Sequence, residues 1–297
     1  MNNKSFTLIE LLVVIVTIGI LAGVIMISTS SSIDKASFAK AQTFSNTVQE
    51  ELLLNLVSEW TFNEGTTTTG NNATNNDVKD SWGNNNGTIN VTYAPKILGA
   101  SDCVYGKCLS FDNDYVAVTN FDNDFELSIS VWVNFDSLGN RWIINKRDAI
   151  THDQWQLYNY DGNIGAAIYG GDSTMVRGMA KFPQSKIKLN KWTHLTLATN
   201  GVLNGFVKIY LNGALEDAQP LTGNMLISTW TITIGKAGWY DDLYFDGAID
   251  DIRIYGAVLS SSQIKQNYIA GLDSLLSQGS ISKEDYNQRI NELAYEK

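Results

Sequence analysis

Glu10 is the first residue whose position suggests chemistry. It opens an apolar run, residues 11–27, that carries no charge and one Thr. A carboxylate taken into hydrocarbon costs roughly 2.5–3.5 kcal/mol. Glu10 therefore either reaches water at a membrane interface or meets a cation from another subunit. Asp250 is the second. In Ile249-Asp250-Asp251-Ile252-Arg253-Ile254, period-two alternation places Asp250 on the face of Ile252 and Ile254, with Asp251 toward solvent. A carboxylate aimed at a core must be hydrogen-bonded or hold a cation. Glu64 and the loop 80–87, with Asp80 and Asn84, offer the oxygen mixture that calcium takes. The third group is the segment 236–244, where Trp239, Tyr240 and Tyr244 stand with Asp241 and Asp242. Aromatic faces pack on sugar rings and acids accept hydroxyl hydrogens, so this segment reads as a binding rim. Arg141, Trp142, Arg147, Trp155 and Tyr158 would extend it. His194, inside Trp192-Thr193-His194-Leu195, reads as a core histidine rather than a base.

The elements that must position these residues follow from patterning. Residues 6–27 would make about 33 Å of helix, enough for a hydrocarbon core of ~30 Å. Ile33, Phe38, Ala41, Phe44, Val48, Leu52 and Leu56 then recur mostly at three or four residues, an amphipathic helix that continues the span to about residue 58. A Thr/Asn/Gly tract at 66–76 marks a loop. Beyond it lie short β-runs at 108–111, 115–119, 127–135, 142–146, 155–159, 165–169, 192–199, 206–211, 230–234 and 248–255. The run at 206–211 ends in Asn212-Gly213, a hairpin signal. Many short strands without intervening helices argue for a sandwich or jelly roll. Cys103 and Cys108 are the 2 cysteines of the chain, and in an exported head they predict a disulfide. Residues 260–270 read as a helix, and Gly271 to Tyr286 as two short helices around a Gly-Ser turn, with Ser282 and Asp285 in a capping position. This tail reads as a solvated end-cap, and it is similar to short helical hairpins on oligomerising bacterial proteins.

The net charge of −10 makes the chain a poor partner for phosphate backbones, so no nucleic acid is expected. With 2 Cys and 2 His it lacks a zinc-ribbon framework.

Ser5-Phe6-Thr7-Leu8-Ile9-Glu10 ahead of the apolar run resembles the processing motif of type IV prepilins and of the pseudopilins of type II secretion. The resemblance implies cleavage between Ser5 and Phe6 by a prepilin peptidase, N-methylation of Phe6, and Glu10 as the assembly contact that neutralises a neighbouring subunit's amine. Ser5 stands where that family strongly prefers Gly. The implied partners are other pilin subunits, as homo- or hetero-polymer, and a pilus or secretion assembly machinery. The implied location is a single-pass cytoplasmic-membrane precursor, then an extracellular filament or the cell surface.

The remainder resembles the laminin-G-like, concanavalin-A-like jelly rolls. The matching pieces include Trp60-Thr61-Phe62-Asn63-Glu64-Gly65, Asp80-Ser81-Trp82-Gly83, Leu109-Ser110-Phe111-Asp112, Ile129-Ser130-Val131-Trp132-Val133, Ile209-Tyr210-Leu211-Asn212-Gly213 and Gly247-Ala248-Ile249-Asp250-Asp251. This resemblance implies a structural calcium joining Glu64, Asp80, Asn84 and Asp250; the alternative is a hydrogen-bonded carboxylate that stitches two loops without metal. Glycosidases on related jelly rolls carry Glu-x-Asp-x-Glu on one strand, because one carboxylate protonates the leaving oxygen while the other attacks or activates water. No such triplet occurs here, so no enzyme is expected.

The expected fold class is α+β: a leader at 1–5, a pilin-type helix at 6–58 with its membrane span at 6–27, an antiparallel β-sandwich jelly roll at 59–259, and a short C-terminal helical hairpin at 260–297. The expected function is a type IV pilin-like subunit displaying a lectin-like head for adhesion or glycan binding. A secretion pseudopilin and a membrane-anchored carbohydrate-binding module that does not polymerise are the alternatives.

Overall fold

The computed structural model describes residues 52–90, 92–122, 124–147, 153–170, 176–237 and 243–295. The leader, the Ser5–Phe6 junction, Glu10 and the candidate span lie outside the described residues. Among the described residues no helix is long and apolar enough to cross a membrane.

The strands are β1 (Leu56–Trp60), β2 (Thr88–Ile89), β3 (Lys96–Leu98), β4 (Cys108–Asp112), β5 (Val116–Val118), β6 (Leu127–Phe135), β7 (Arg141–Arg147), β8 (Asp153–Tyr160), β9 (Asn163–Tyr169), β10 (Val176–Pro183), β11 (Trp192–Thr199), β12 (Phe206–Leu211), β13 (Ala214–Pro220), β14 (Thr231–Ile234) and β15 (Asp246–Tyr255). Helices α1 (Ser261–Ser277) and α2 (Lys283–Tyr295) follow. One sheet runs β13-β12-β11-β6-β15-β4-β3, with β1 paired to β15. The other runs β10-β9-β8-β7-β14-β5-β2. The pairings are antiparallel, as in a β-sandwich jelly roll.

The expected alternation explains the core. Leu127, Ile129, Val131, Val133 and Phe135 of β6 point between the sheets, where they meet Trp155 and Leu157 of β8 and Ile164, Ala166 and Ile168 of β9. Each fully buried large aliphatic or Phe side chain contributes about 1.5–3 kcal/mol relative to exposure. The Asn212-Gly213 turn closes the β12–β13 hairpin with both residues at positive φ, 52° and 83°.

Two boundaries and the packing of the tail differ from the sequence reading. The amphipathic pattern runs to Leu56, but residues 56–58 belong to β1, whose Leu56, Ser58 and Trp60 turn inward against β15. Tertiary pairing overrides the helical period there. Helix α1 also continues through Gly271 to Ser277 instead of ending at Ala270. A Cβ at Gly271 would stand 2.3 Å from Trp132 Cζ2, so this glycine admits the indole against the helix. The helical tail is not a solvated end-cap. Tyr268, Leu272, Leu275 and Leu293 bury against Trp132, Trp192 and Ala248 on the outer face of the β6-containing sheet. Its caps are as expected: Ser260 and Gln263 form a capping box, and Asp285 N–H donates to Ser282 Oγ at 3.1 Å.

Candidate functional site

The two sheets leave different outer faces. The face on β6, β11 and β15 is covered by α1 and α2, whereas the face on β7 to β10 carries an open groove of about 580 Å³. That size lies within the usual range for small-ligand sites.

The register of β7 to β10 builds this groove. Trp155 and Leu157 face the core, so Gln156, Tyr158 and Tyr160 share the outer face of β8. Trp142 pairs with Tyr158, Tyr158 with Gly165, and Gly165 with Lys181, one row across four strands. Gly165 leaves room for a ring, since a Cβ there would stand 2.5 Å from Tyr158 Cζ. Tyr158 lies over that gap, 5 % exposed, and burial pushes its phenol up to about 12. Trp142 stacks on Tyr158, with centroids 5.8 Å apart and planes at 28°, and meets Tyr160 edge-on at 5.6 Å. Such pairs contribute about 0.5–1.5 kcal/mol beyond area burial. The Trp142 indole N–H donates to Gln156 Oε1 at 3.1 Å, and Tyr169 O–H donates to the same oxygen at 3.2 Å. The indole is thus fixed from beneath and from its edge before any ligand arrives, which lowers the ordering cost of binding. Met179, Lys181, Arg147, Asp161, Asn163 and Leu243 complete the lining.

A second groove, about 410 Å³, lies beside α2. Its charges are largely matched: Lys186 with Glu216, Lys191 with Asp285 at 3.9 Å, and Arg289 with Asp285 at 3.1 Å. It is an ion-paired seam of the tail.

The expected site residues are dispersed. Trp239, Tyr240 and Asp241 lie outside the described residues. Tyr244 is buried rather than presented on a rim; Lys236 Nζ sits 5.0 Å from its ring centroid, and its carbonyl accepts from Arg141 Nη1 at 2.9 Å. Trp155 belongs to the core, whereas Trp142, Arg147 and Tyr158 do line the groove. The sequence reading missed Gln156, Tyr160, Tyr169 and Lys181. The Gln-x-Gln-x-Tyr-x-Tyr alternation of β8 carried the signal for the first two.

Cys103 and Cys108 are bonded, with Cα atoms 5.5 Å apart. Their loop presents the N–H groups of Val104 and Tyr105 to Asp250 Oδ2 at 2.8 and 2.9 Å. Asp250 does not share the face of Ile252 and Ile254. A bulge between Asp250 and Arg253, with Asp251 at φ 47°, inserts one residue and turns Asp250 to the outer face opposite Trp132. Burial, with the Asp251 charge beside it, raises the Asp250 carboxyl well above the usual range. Asp251 is not solvent-facing either. It is 2 % exposed and paired with Arg253 at 3.1 Å, and burial, partly offset by Arg253, pushes it up to about 6.

The four residues expected to share a calcium have separate roles. Asp80 Oδ1 accepts from the backbone N–H groups of Glu59, Trp82 and Gly83, and Oδ2 from Asn85 N–H, at 2.9–3.1 Å. Glu64 is exposed and accepts from the Thr61 hydroxyl; Asn84 is exposed. Among the described residues no group of three or more His, Cys, Asp or Glu gathers in a metal-holding arrangement. Asp80 and Asp250 thus take separate sets of backbone donors. His194 is fully buried, its Nε2 2.7 Å from Ser130 Oγ, and burial holds its imidazole down at about 3.

Comparison with known proteins agrees with this architecture. Residues 111–265 match the family model of the concanavalin A-like lectin/glucanases superfamily. Domain 4 of a GH43 extracellular arabinanase from Geobacillus stearothermophilus, solved with arabinotriose, is 24% identical at a TM-score of 0.54, over 71% of this chain and 97% of that one. The ligand-binding domain of Botulinum neurotoxin serotype D, solved with N-acetylneuraminic acid, is 19% identical at 0.56, over 76% of this chain and 53% of that one. The binding domain of Paraclostridial Mosquitocidal Protein 1 is 18% identical at 0.56, over 75% and 53%. This chain thus spans about half the length of the two toxin domains. These likenesses speak to the fold. No curated protein matches the sequence. With its matched segment extending from β4 to the start of α1, the chain belongs to the concanavalin A-like lectin/glucanases superfamily.

Proposed function

We propose that this chain is a type IV pilin-like surface subunit whose jelly-roll head binds carbohydrate. The observation that carries the binding reading is the Trp142 platform on the sheet that α1 and α2 do not cover: an indole backed by Tyr158, edged by Tyr160 and locked by Gln156. Sugar rings stack on such faces while nearby amides and charged groups meet their hydroxyls. Arabinotriose and N-acetylneuraminic acid accompany two proteins of similar fold, in keeping with a glycan ligand. The head is proposed as a binder and not an enzyme. Glycoside hydrolysis commonly uses two carboxylates, and Asp161 is the one carboxylate among the described lining residues. Binding of the full-length chain to a glycan array tests this reading. Wild type should bind at least one glycan family and Trp142→Ala should lose it; binding that survives the substitution removes the groove.

The filament part rests on the motif at residues 5–10 and the apolar run after it. The apolar run would hold the precursor in the cytoplasmic membrane, and cleavage between Ser5 and Phe6 with methylation of Phe6 would give the filament subunit, with Glu10 as the assembly contact. Intact-mass measurement of native protein separates the readings. A mature chain starting at N-methyl-Phe6 supports a pilin or secretion pseudopilin, and an uncleaved Met1 supports a simple anchor.

A further inference from the structure

Resting on the carbohydrate reading above, we propose that the open groove selects acidic sugars, those carrying a carboxylate, and that Lys181 is its specificity-determining cation. The row Trp142–Tyr158–Gly165–Lys181 puts the aromatic platform on β7 and β8 and the ammonium-bearing strand two places beyond Tyr158. Strands lie about 4.8 Å apart, so Lys181 stands roughly 10 Å from the Tyr158 backbone. Between them the Tyr158 ring lies over Gly165, and β9 adds only Ala167 beside it. A saccharide stacked on Trp142 extends past the Tyr158 ring toward β10, and the flexible lysine stem reaches back to meet it. Arg147 lines the same groove.

The chain carries −10 overall; in the groove Lys181 is exposed, and Asp161 is the one carboxylate among the described lining residues. Asp161 sits at the β8–β9 turn, at φ 50°, beside Tyr160 at the end of the row. The nearby Asp217 is tied to the Lys181 backbone: its oxygens accept from the backbone N–H groups of Lys181 and Ala218 and from the Gln219 side chain. At physiological salt, screening acts over about 8 Å, so a ligand group that reaches the Lys181 ammonium responds to it more than to the distant acidic surface. An ammonium–carboxylate contact is a charge-assisted hydrogen bond, and loss of one costs about tenfold or more in affinity.

The test uses matched pairs that differ in the carboxylate: oligogalacturonate against its carboxyl-reduced form, glucuronate-substituted against plain xylo-oligosaccharide, and sialyllactose against lactose. Affinities are measured on the full-length chain at two salt concentrations. The expected result is at least one pair in which the acidic member binds about tenfold tighter. Lys181→Gln should erase that preference and its salt dependence. Equal binding of the two members in every pair that binds, or a preference that survives Lys181→Gln, overturns the proposal and leaves the carbohydrate reading standing. Absence of binding to every pair, or binding indifferent to Trp142→Ala, overturns both.

Discussion

The two outer faces of the sandwich are built from similar residues and do opposite things. On one, Trp132 stacks on Tyr268 at 5.6 Å with planes at 22°, and His194 lies 5.1 Å from the same indole. On the other, Trp142 stacks on Tyr158 at 5.8 Å with planes at 28°. The first cluster is sealed by α1 and has become a second hydrophobic core, with Trp132 0 % exposed. No helix among the described residues covers the second, and its indole remains partly exposed. An aromatic stack on a sheet is therefore a stabilising device or a ligand platform depending on what lies above it.

The same substitution on the two faces gives the most direct way to break this comparison. Trp132→Ala should destabilise the head by about 3–5 kcal/mol in chemical denaturation, because it empties a cavity beneath α1. Trp142→Ala should instead cost about 1–3 kcal/mol of stability, from its two aromatic pairs, while glycan affinity falls at least tenfold. Similar losses of stability at both positions would mean that both faces are core.

The covered face carries two further expectations. Replacing Cys103 and Cys108 together with Ser should cost about 2 kcal/mol in chain entropy. It should also loosen the loop whose Val104 carbonyl accepts from Ser274 Oγ and from Gln278 Nε2 of the tail. Proteolysis within α1 and α2 should accelerate accordingly. His194 sharpens the contrast through pH. Its folded value, about 3, lies below the ordinary 6.5, so the unfolded chain takes up the proton first. The stability that a neutral His194 contributes is present above pH 6.5 and is lost progressively as pH falls toward 3. Asp250 and Asp251, both raised by burial, act in the opposite direction: their contribution is present below the ordinary 3.8 and declines as pH rises, through about 6 for Asp251. The stability gap between wild type and His194→Gln should thus narrow from pH 7 to pH 4, since the carboxyl pair is common to both. The smallest effect is expected from calcium. Asp80 and Asp250 are already bound to backbone N–H groups, so excess chelator should leave Tm within about 1 °C; a larger fall would show that an ion joins the loops after all.

Much of the fold could be read in the residues. The β6 alternation, the Asn212-Gly213 hairpin and the Ser260 and Ser282 caps depend on neighbours a few positions apart. The errors came where one residue altered a local period. The bulge at Asp251 reversed the face assigned to Asp250, and no local pattern announces it. Gly271 reads as a helix breaker until Trp132, far away in sequence, is seen packed against it. The candidate site was half visible. Trp142, Arg147 and Tyr158 were named as additions to a rim at 236–244, but the alternation that joins Gln156 and Tyr160 to them was overlooked in favour of a more conspicuous aromatic loop.

The sequence by itself determined most of the longer strands, the shared face of a regular strand such as β6, and that two cysteines five positions apart would meet, since these follow from backbone periods and short loops. It also carries the motif at residues 5–10, on which the filament proposal rests. Tertiary structure alone decided which sheet face the tail covers, and therefore which aromatic stack is core and which is open to a ligand. That choice depends on the packing of α1 against β6, a contact between segments more than a hundred residues apart that no local pattern encodes.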